Sequence, residues 1–117
     1  MIDLSPIKDI FLFTGNTDFR TGILGLSGIV LLSFPNQNDR TNNLYVFCNS
    51  KKTKIKILHF DETGIWLYQK RLNSGKFVYP DAKGDFKITK DNLITILEGL
   101  NFIQKIEGRT NKIYAMF

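Results

Sequence analysis

The stretch Lys54-Ile55-Lys56-Ile57-Leu58-His59-Phe60, then Asp61-Glu62-Thr63-Gly64, then Ile65-Trp66-Leu67-Tyr68-Gln69-Lys70-Arg71-Leu72 decides the fold. Two runs rich in β-branched and aromatic residues flank a four-residue loop, which is the pattern of a β-hairpin. With Asp61 to Gly64 as the loop, Phe60 faces Ile65. Counting outward pairs His59 with Trp66, Leu58 with Leu67, Ile57 with Tyr68, Lys56 with Gln69, Ile55 with Lys70 and Lys54 with Arg71. Side chains alternate between the two faces of a strand. One face therefore carries Phe60, Ile65, Leu58 and Leu67 near the loop, with Lys56, Gln69, Lys54 and Arg71 at the open end. The other carries Ile55, Ile57, His59, Trp66 and Tyr68, with Lys70 opposite Ile55. That face is expected to lie on a core or helix, so Trp66 and Tyr68 read as core residues.

Upstream, Asn49 to Lys52 reads as the turn into this hairpin, and the wholly apolar run Leu44 to Cys48 reads as a central strand. Phe34 to Asn43 is a polar loop. Before it, Phe19, Ile23, Leu26 and Val30 follow the helical stripe, with Thr17 or Asp18 expected to start the helix. Gly22, Gly25 and Gly28 recur inside that helix and weaken it by about 1 kcal/mol each against Ala. Close packing on a sheet, or ordering by a bound partner, are the two ways to offset this. Ile10 to Phe13 is a further strand. Downstream, Lys76 to Tyr79 reads as a strand stopped by Pro80, and Asp81 to Asp85 as a loop into Phe86-Lys87-Ile88. Thr89 then caps a helix lined by Leu93, Ile96, Leu97 and Leu100, with Gly99 suited to its end. The expected fold class is α+β: one domain over residues 1–117, an antiparallel β-meander with two packed helices. The tail, residues 101–117, has no clear period and is left unassigned.

The 117 residues are 43% hydrophobic, 13% aromatic and 23% charged, which excludes the disordered and low-complexity classes. No apolar stretch has the length of a membrane helix, and the start lacks the pattern of a signal peptide. With a single cysteine, Cys48, inside an apolar run, the sequence points to a reducing, cytoplasmic setting and no membrane partner. The net charge of +5 is unevenly spread. Between Arg40 and Lys90 there are 11 basic and 4 acidic residues, so this central half carries +7 and the remainder −2.

That field gathers on the hairpin. Lys54 directly opposite Arg71 is unfavourable unless an anion lies nearby, either an acidic side chain or a phosphate. Lys51, Lys52, Lys54, Lys56, Lys70, Arg71 and Lys76 form the candidate DNA-binding set, a ridge for a nucleic-acid backbone. The competing explanation is a solvated edge strand protected by lysines. Enzyme motifs fail. Thr14-Gly15-Asn16-Thr17-Asp18-Phe19-Arg20 has neither the spacing of a P-loop nor its Lys-Ser/Thr. The one histidine, His59, makes no zinc spacing with Cys48 and Asp61, and no nucleophile with an orienting group is visible. Asp18, Asp39, Asp61, Glu62 and Glu98 suit local turns and caps better than a magnesium site. No cofactor and no metal are expected.

Taken together, Ile10 to Arg20, Leu44 to Asn49, Lys54 to Leu58, Gly64 to Leu67, Lys70 to Leu72, Gly75 through Pro80 and Leu97 to Leu100 resemble the second-reading-frame accessory proteins of the insertion sequence 66 family. The resemblance runs over about residues 10–100. It implies a bacterial mobile-element protein that works beside a separate transposase in DNA transposition and does not itself cut strands. Its signature falls on Thr14, Gly15, Thr17, Asp18 and Arg20, and on Lys70, Arg71, Gly75, Phe77 and Pro80. Phe19, Thr21 and Tyr79 stand where the family usually has Met, Lys and Trp, and a neutral Thr21 weakens any phosphate role for that turn. The expected partner is DNA at the transposon ends. The alternative is an adaptor that binds the transposase through the glycine-striped helix or the apolar tail Ile113 to Phe117.

Overall fold

The computed structural model describes residues 2–15, 19–80 and 84–98. Five strands and two helices follow one another as β1 (Ile10–Phe13), α1 (Ile23–Ser33), β2 (Leu44–Cys48), β3 (Lys54–Phe60), β4 (Ile65–Arg71), β5 (Asp85–Ile88) and α2 (Lys90–Leu97). They form one sheet in the order β4-β3-β2-β1-β5. The hairpin register is the expected one at all seven pairs, from Lys54 opposite Arg71 to Phe60 opposite Ile65. The α+β class therefore holds, but the sheet is not a pure meander. β1 runs parallel to β2, with α1 as the crossover that a parallel pair requires, and β5 returns to pair antiparallel with the far side of β1.

The two helices lie on opposite faces. α1 covers the face of Phe13, Tyr45, Phe47 and Leu58, where Leu26 and Val30 are fully buried and Phe13 stacks on Phe47 with ring centroids 4.5 Å apart. α2 covers the face of Ile10, Val46, Ile55 and Ile57, placing Leu93 and Ile96 against them. With both faces covered, the central strand β2 is buried at every residue, which is why its sequence is apolar without alternation. Each such fully buried side chain contributes roughly 1.5–3 kcal/mol relative to exposure.

Three expectations need correction. First, α1 begins at Ile23, and its N-cap is Gly22, which makes no side-chain cap bond; Thr17 and Asp18 lie outside the described residues. The turn before the helix is instead held by Lys56, described below. Second, packing on the sheet does not account for the three glycines. A Cβ at Gly25 would sit 1.9 Å from Thr21 Cγ2, a contact within the same segment, whereas Gly22 and Gly28 face open space. Third, Lys76 to Tyr79 forms no strand. Phe77 and Tyr79 are buried in the α2-side core, and the backbone crosses that face instead of pairing with a strand. The Phe77 amide donates to Lys52 O at 2.7 Å. The Tyr79 hydroxyl donates its one proton between Phe13 O at 2.6 Å and Val46 O at 3.0 Å, tying the segment to carbonyls of β1 and β2. Thr89 caps α2 as expected, in a reciprocal pair with Asn92 at 3.1 Å each way. Gly99, Leu100 and the tail lie outside the described residues. Among the described residues no helix is long and apolar enough to cross a membrane.

Candidate nucleic-acid interface

The open end of the hairpin is built on a bonded turn. Asn49 Oδ1 accepts from the amides of Thr53 at 2.9 Å and Lys54 at 3.0 Å, and the Lys52 amide donates to Asn49 O at 3.0 Å. Lys52 takes a left-handed backbone, φ 58°, to close the turn. Leu72 N donates to Thr53 O at 3.0 Å, and with the Phe77 to Lys52 bond this fastens the 72–77 segment beside the turn. Lys51, Lys52, Lys54, Arg71 and Lys76 are thereby carried to one end of the sheet. Lys51, Arg71 and Lys76 are exposed and Lys54 is half-buried, while Lys52 is half-buried and already has an interaction partner. Among the described residues no carboxylate pairs with Lys54 or Arg71, which oppose each other directly.

Two members of the expected set stand elsewhere. Lys56 is buried, with Nζ donating to Phe19 O at 2.6 Å and Thr21 O at 3.1 Å and lying 5.1 Å from the centre of the Phe19 ring. It ties β3 to the turn before α1 and is out of reach of a phosphate. The alternation that put it beside Lys54 was right, but α1 and its leading turn cover that face from Lys56 toward the loop. Lys70 lies on the opposite face, where Nζ donates to Leu97 O at 2.5 Å, a cation at the C-terminus of α2.

The motif residues converge on the same end as the lysines. Because β1 and β2 are parallel, Thr14 and Gly15 leave the sheet beside Cys48 and Asn49. Thr14 Oγ1 donates to Gly84 O, and Gly15 has φ 101°, a backbone suited to glycine. A small cleft of about 180 Å³ is lined by Gly15, Asn49, Lys52, Tyr79 and Pro80, so the early and late parts of the signature meet there. Arg20 is exposed and makes an interaction of its own. Sequence reasoning treated these two regions separately, since only the parallel pairing joins them.

Of the candidate chemical groups, Cys48, His59 and Asp39 are held in local structure, while Asp18 lies outside the described residues. Burial pushes the Cys48 thiol up to about 12. His59 opposes Leu44 at the other end of β2 from Cys48, and its Nε2 is 3.2 Å from Asn42 Oδ1. Asp39 accepts from the Thr41 amide at 2.9 Å, which holds its carboxyl below the usual range. Among the described residues no three His, Cys, Asp or Glu side chains gather to hold a metal ion.

Two surfaces were misread or missed. Trp66 is not a core residue: it is 57% exposed on the edge strand β4, while Tyr68 beside it is half-buried. The Asp61 carboxylate accepts from the Trp66 indole at 2.7 Å and from the amides of Thr63 at 2.8 Å and Gly64 at 2.7 Å. The Thr63 amide above all, then the indole and Gly64, holds that carboxyl below its ordinary value. The spacing of Asp61 and Trp66 across a tight loop was the available signal. The second surface is the outer side of α1, where Leu24 is 86%, Leu32 84% and Leu31 50% exposed. A helix apolar on all sides is the mark of a buried element, yet this side is left exposed by the described residues.

Comparison with known proteins places the chain. A family model described as IS66 Orf2 like protein matches residues 8–107. An uncharacterized protein y4hO of Sinorhizobium fredii is 31% identical over 94 residues, covering 80% of this chain and 81% of that protein. A second from the same organism, y4jC, is 30% identical over 106 residues, covering 87% of each. No solved structure matches. The match spans both halves of the signature and the whole described sheet, and the chain belongs to the IS66 Orf2-like family of insertion-element accessory proteins.

Proposed function

We propose that this accessory protein acts without catalysis, in the cytoplasm, by holding the phosphate backbone of element DNA on the basic end of its sheet. The observation that carries the reading is Lys54 directly opposite Arg71 with no acidic partner among the described residues. A like-charge pair is unfavourable on its own and becomes favourable when an anion bridges it. Lys51 and Lys52 lie on the adjoining turn fixed by Asn49, and Lys76 on the 72–77 segment fastened beside it. Phosphate contacts of this kind supply affinity and orientation with little base readout. The test is fluorescence anisotropy with a labelled element-end duplex and a scrambled duplex over a salt series. Binding that weakens steeply with salt and is lost in a folded Lys54→Glu, Arg71→Glu variant supports the reading; no binding to either duplex at low salt removes it.

A second reading, an adaptor for the transposase, is favoured by the uncovered Leu24, Leu31 and Leu32 on α1. A Leu24→Ser, Leu32→Ser variant that folds and binds DNA but no longer retains the transposase in a pull-down would support it.

A further inference from the structure

We infer that Trp66, extended by Tyr68, is a stacking platform for an unpaired nucleobase, which makes single-stranded DNA a ligand of this protein. The inference rests on the DNA-binding reading and specifies the form of DNA at one edge of the sheet. Trp66 and Tyr68 alternate onto the same face of β4, with ring centroids 6.4 Å apart and planes within 22°. Among the described residues β4 is an edge strand, with no further strand beyond it. The indole is 57% exposed yet fixed, because Nε1 donates to Asp61 Oδ2 at 2.7 Å and Asp61 is itself held by two loop amides. An N–H bond lies in the ring plane and leaves the faces of the indole to other contacts. A rigid, exposed aromatic on a strand is the device by which sheet surfaces bind single strands, since every base offers a π-face. In a duplex those faces are covered by neighbouring base pairs, so only an unpaired base can use the platform.

The charges along the strand set a direction. Lys70 follows two residues beyond Tyr68 on the same face; its bond to Leu97 O uses one of three donors and leaves its charge in place. Arg71 and Lys54 stand at that same end on the opposite face. At the other end, Asp61 and Glu62 in the loop repel phosphates. A single strand thus places its backbone toward the lysines and its last stacked base on Trp66.

Trp66 is the one tryptophan of the chain, so its emission reports the contact directly. Short oligothymidylate, oligouridylate and a labelled duplex are titrated into the full-length protein, following both Trp66 emission and anisotropy. Quenching by oligothymidylate with the same midpoint as the anisotropy is expected. Trp66→Ala should weaken that oligonucleotide about tenfold while changing duplex affinity less than about twofold, and Trp66→Phe should recover most of the loss. Trp66 is exposed, so the variants should keep the fold, checked by circular dichroism. Oligothymidylate binding without quenching, or binding of duplex alone, overturns this inference and leaves the phosphate reading standing. Quenching by the RNA alone overturns the assignment to DNA. No binding of any of the three at low salt removes both.

Discussion

Replacing Lys54 with Glu should move stability and DNA affinity in opposite directions. Lys54 and Arg71 oppose each other. Opposed residues of an antiparallel pair have Cβ atoms about 5 Å apart, so roughly 6 Å is a representative separation for two charged heads at such a site. In water, like charges at that separation repel by about 0.7 kcal/mol, which salt at physiological strength reduces to about 0.3 kcal/mol. Lys54→Glu turns this repulsion into an attraction of similar size, a gain of about 0.6 kcal/mol and a rise in Tm of roughly 3 °C. If the pair holds a phosphate, the same change removes a charge-assisted bond and places a carboxylate against the anion. Affinity should fall on the order of tenfold, and the slope of log K against log salt should lose about one phosphate equivalent. The assays are a thermal melt and an anisotropy salt series on the same sample. A variant that melts lower and binds DNA unchanged would refute the reasoning, since it would make Lys54 a structural residue with no bound anion.

Lys56→Met should destabilise the fold by about 2 kcal/mol in a urea melt, because Phe19 O and Thr21 O lose charge-assisted donors, while duplex affinity stays the same. Gly28→Ala should stabilise by about 1 kcal/mol in the same assay, since its Cβ meets open space, whereas Gly25→Ala should not, because its Cβ meets Thr21. The Asp61 carboxyl is held below 3.8 in the fold, so its contribution is present above that value and lost as pH falls through the lower folded value. Trp66 emission should therefore shift with a midpoint below 3.8, and Asp61→Ala should abolish that transition.

The parts of the fold legible in the sequence were those set by local rules. The hairpin register followed from one loop and a two-residue period, and the Thr89 cap from one side chain and its neighbour Asn92. Strand partners outside the hairpin were not legible, because Ile10 to Phe13 shows no preference for a parallel or an antiparallel neighbour; the return of β5 beyond β1 is a tertiary outcome. The segment with Phe77 and Tyr79 alternates like a strand because both rings are buried in the core, although the Phe77 amide bonds a turn instead of a ladder. At the site, alternation placed Lys54, Lys56 and Arg71 on one face correctly, and it could not show that the turn ahead of α1 covers Lys56. Trp66 was read inward because its strand neighbours are apolar, whereas α2 ends beside Tyr68, Gln69 and Lys70 and their shared groove does not extend to it.

The length of β4 sets the size of single strand that can use both ends of the edge. Arg71 and Trp66 are five residues apart on one strand, a separation of roughly 17 Å at about 3.4 Å per residue. A stacked single strand advances about 3.4 Å per nucleotide, so about five nucleotides are needed to rest a base on Trp66 and a phosphate near Arg71. Oligothymidylates shorter than this should quench Trp66 weakly and show little dependence on Arg71, because only the stacking contact is made. Longer ones should bind more tightly with a clear loss in Arg71→Glu. The step in affinity should appear near that length and flatten above it, since the acidic loop at Asp61 and Glu62 ends the path. Affinity that grows evenly with length and ignores Arg71 would mean that the base contact and the basic end do not act on one strand.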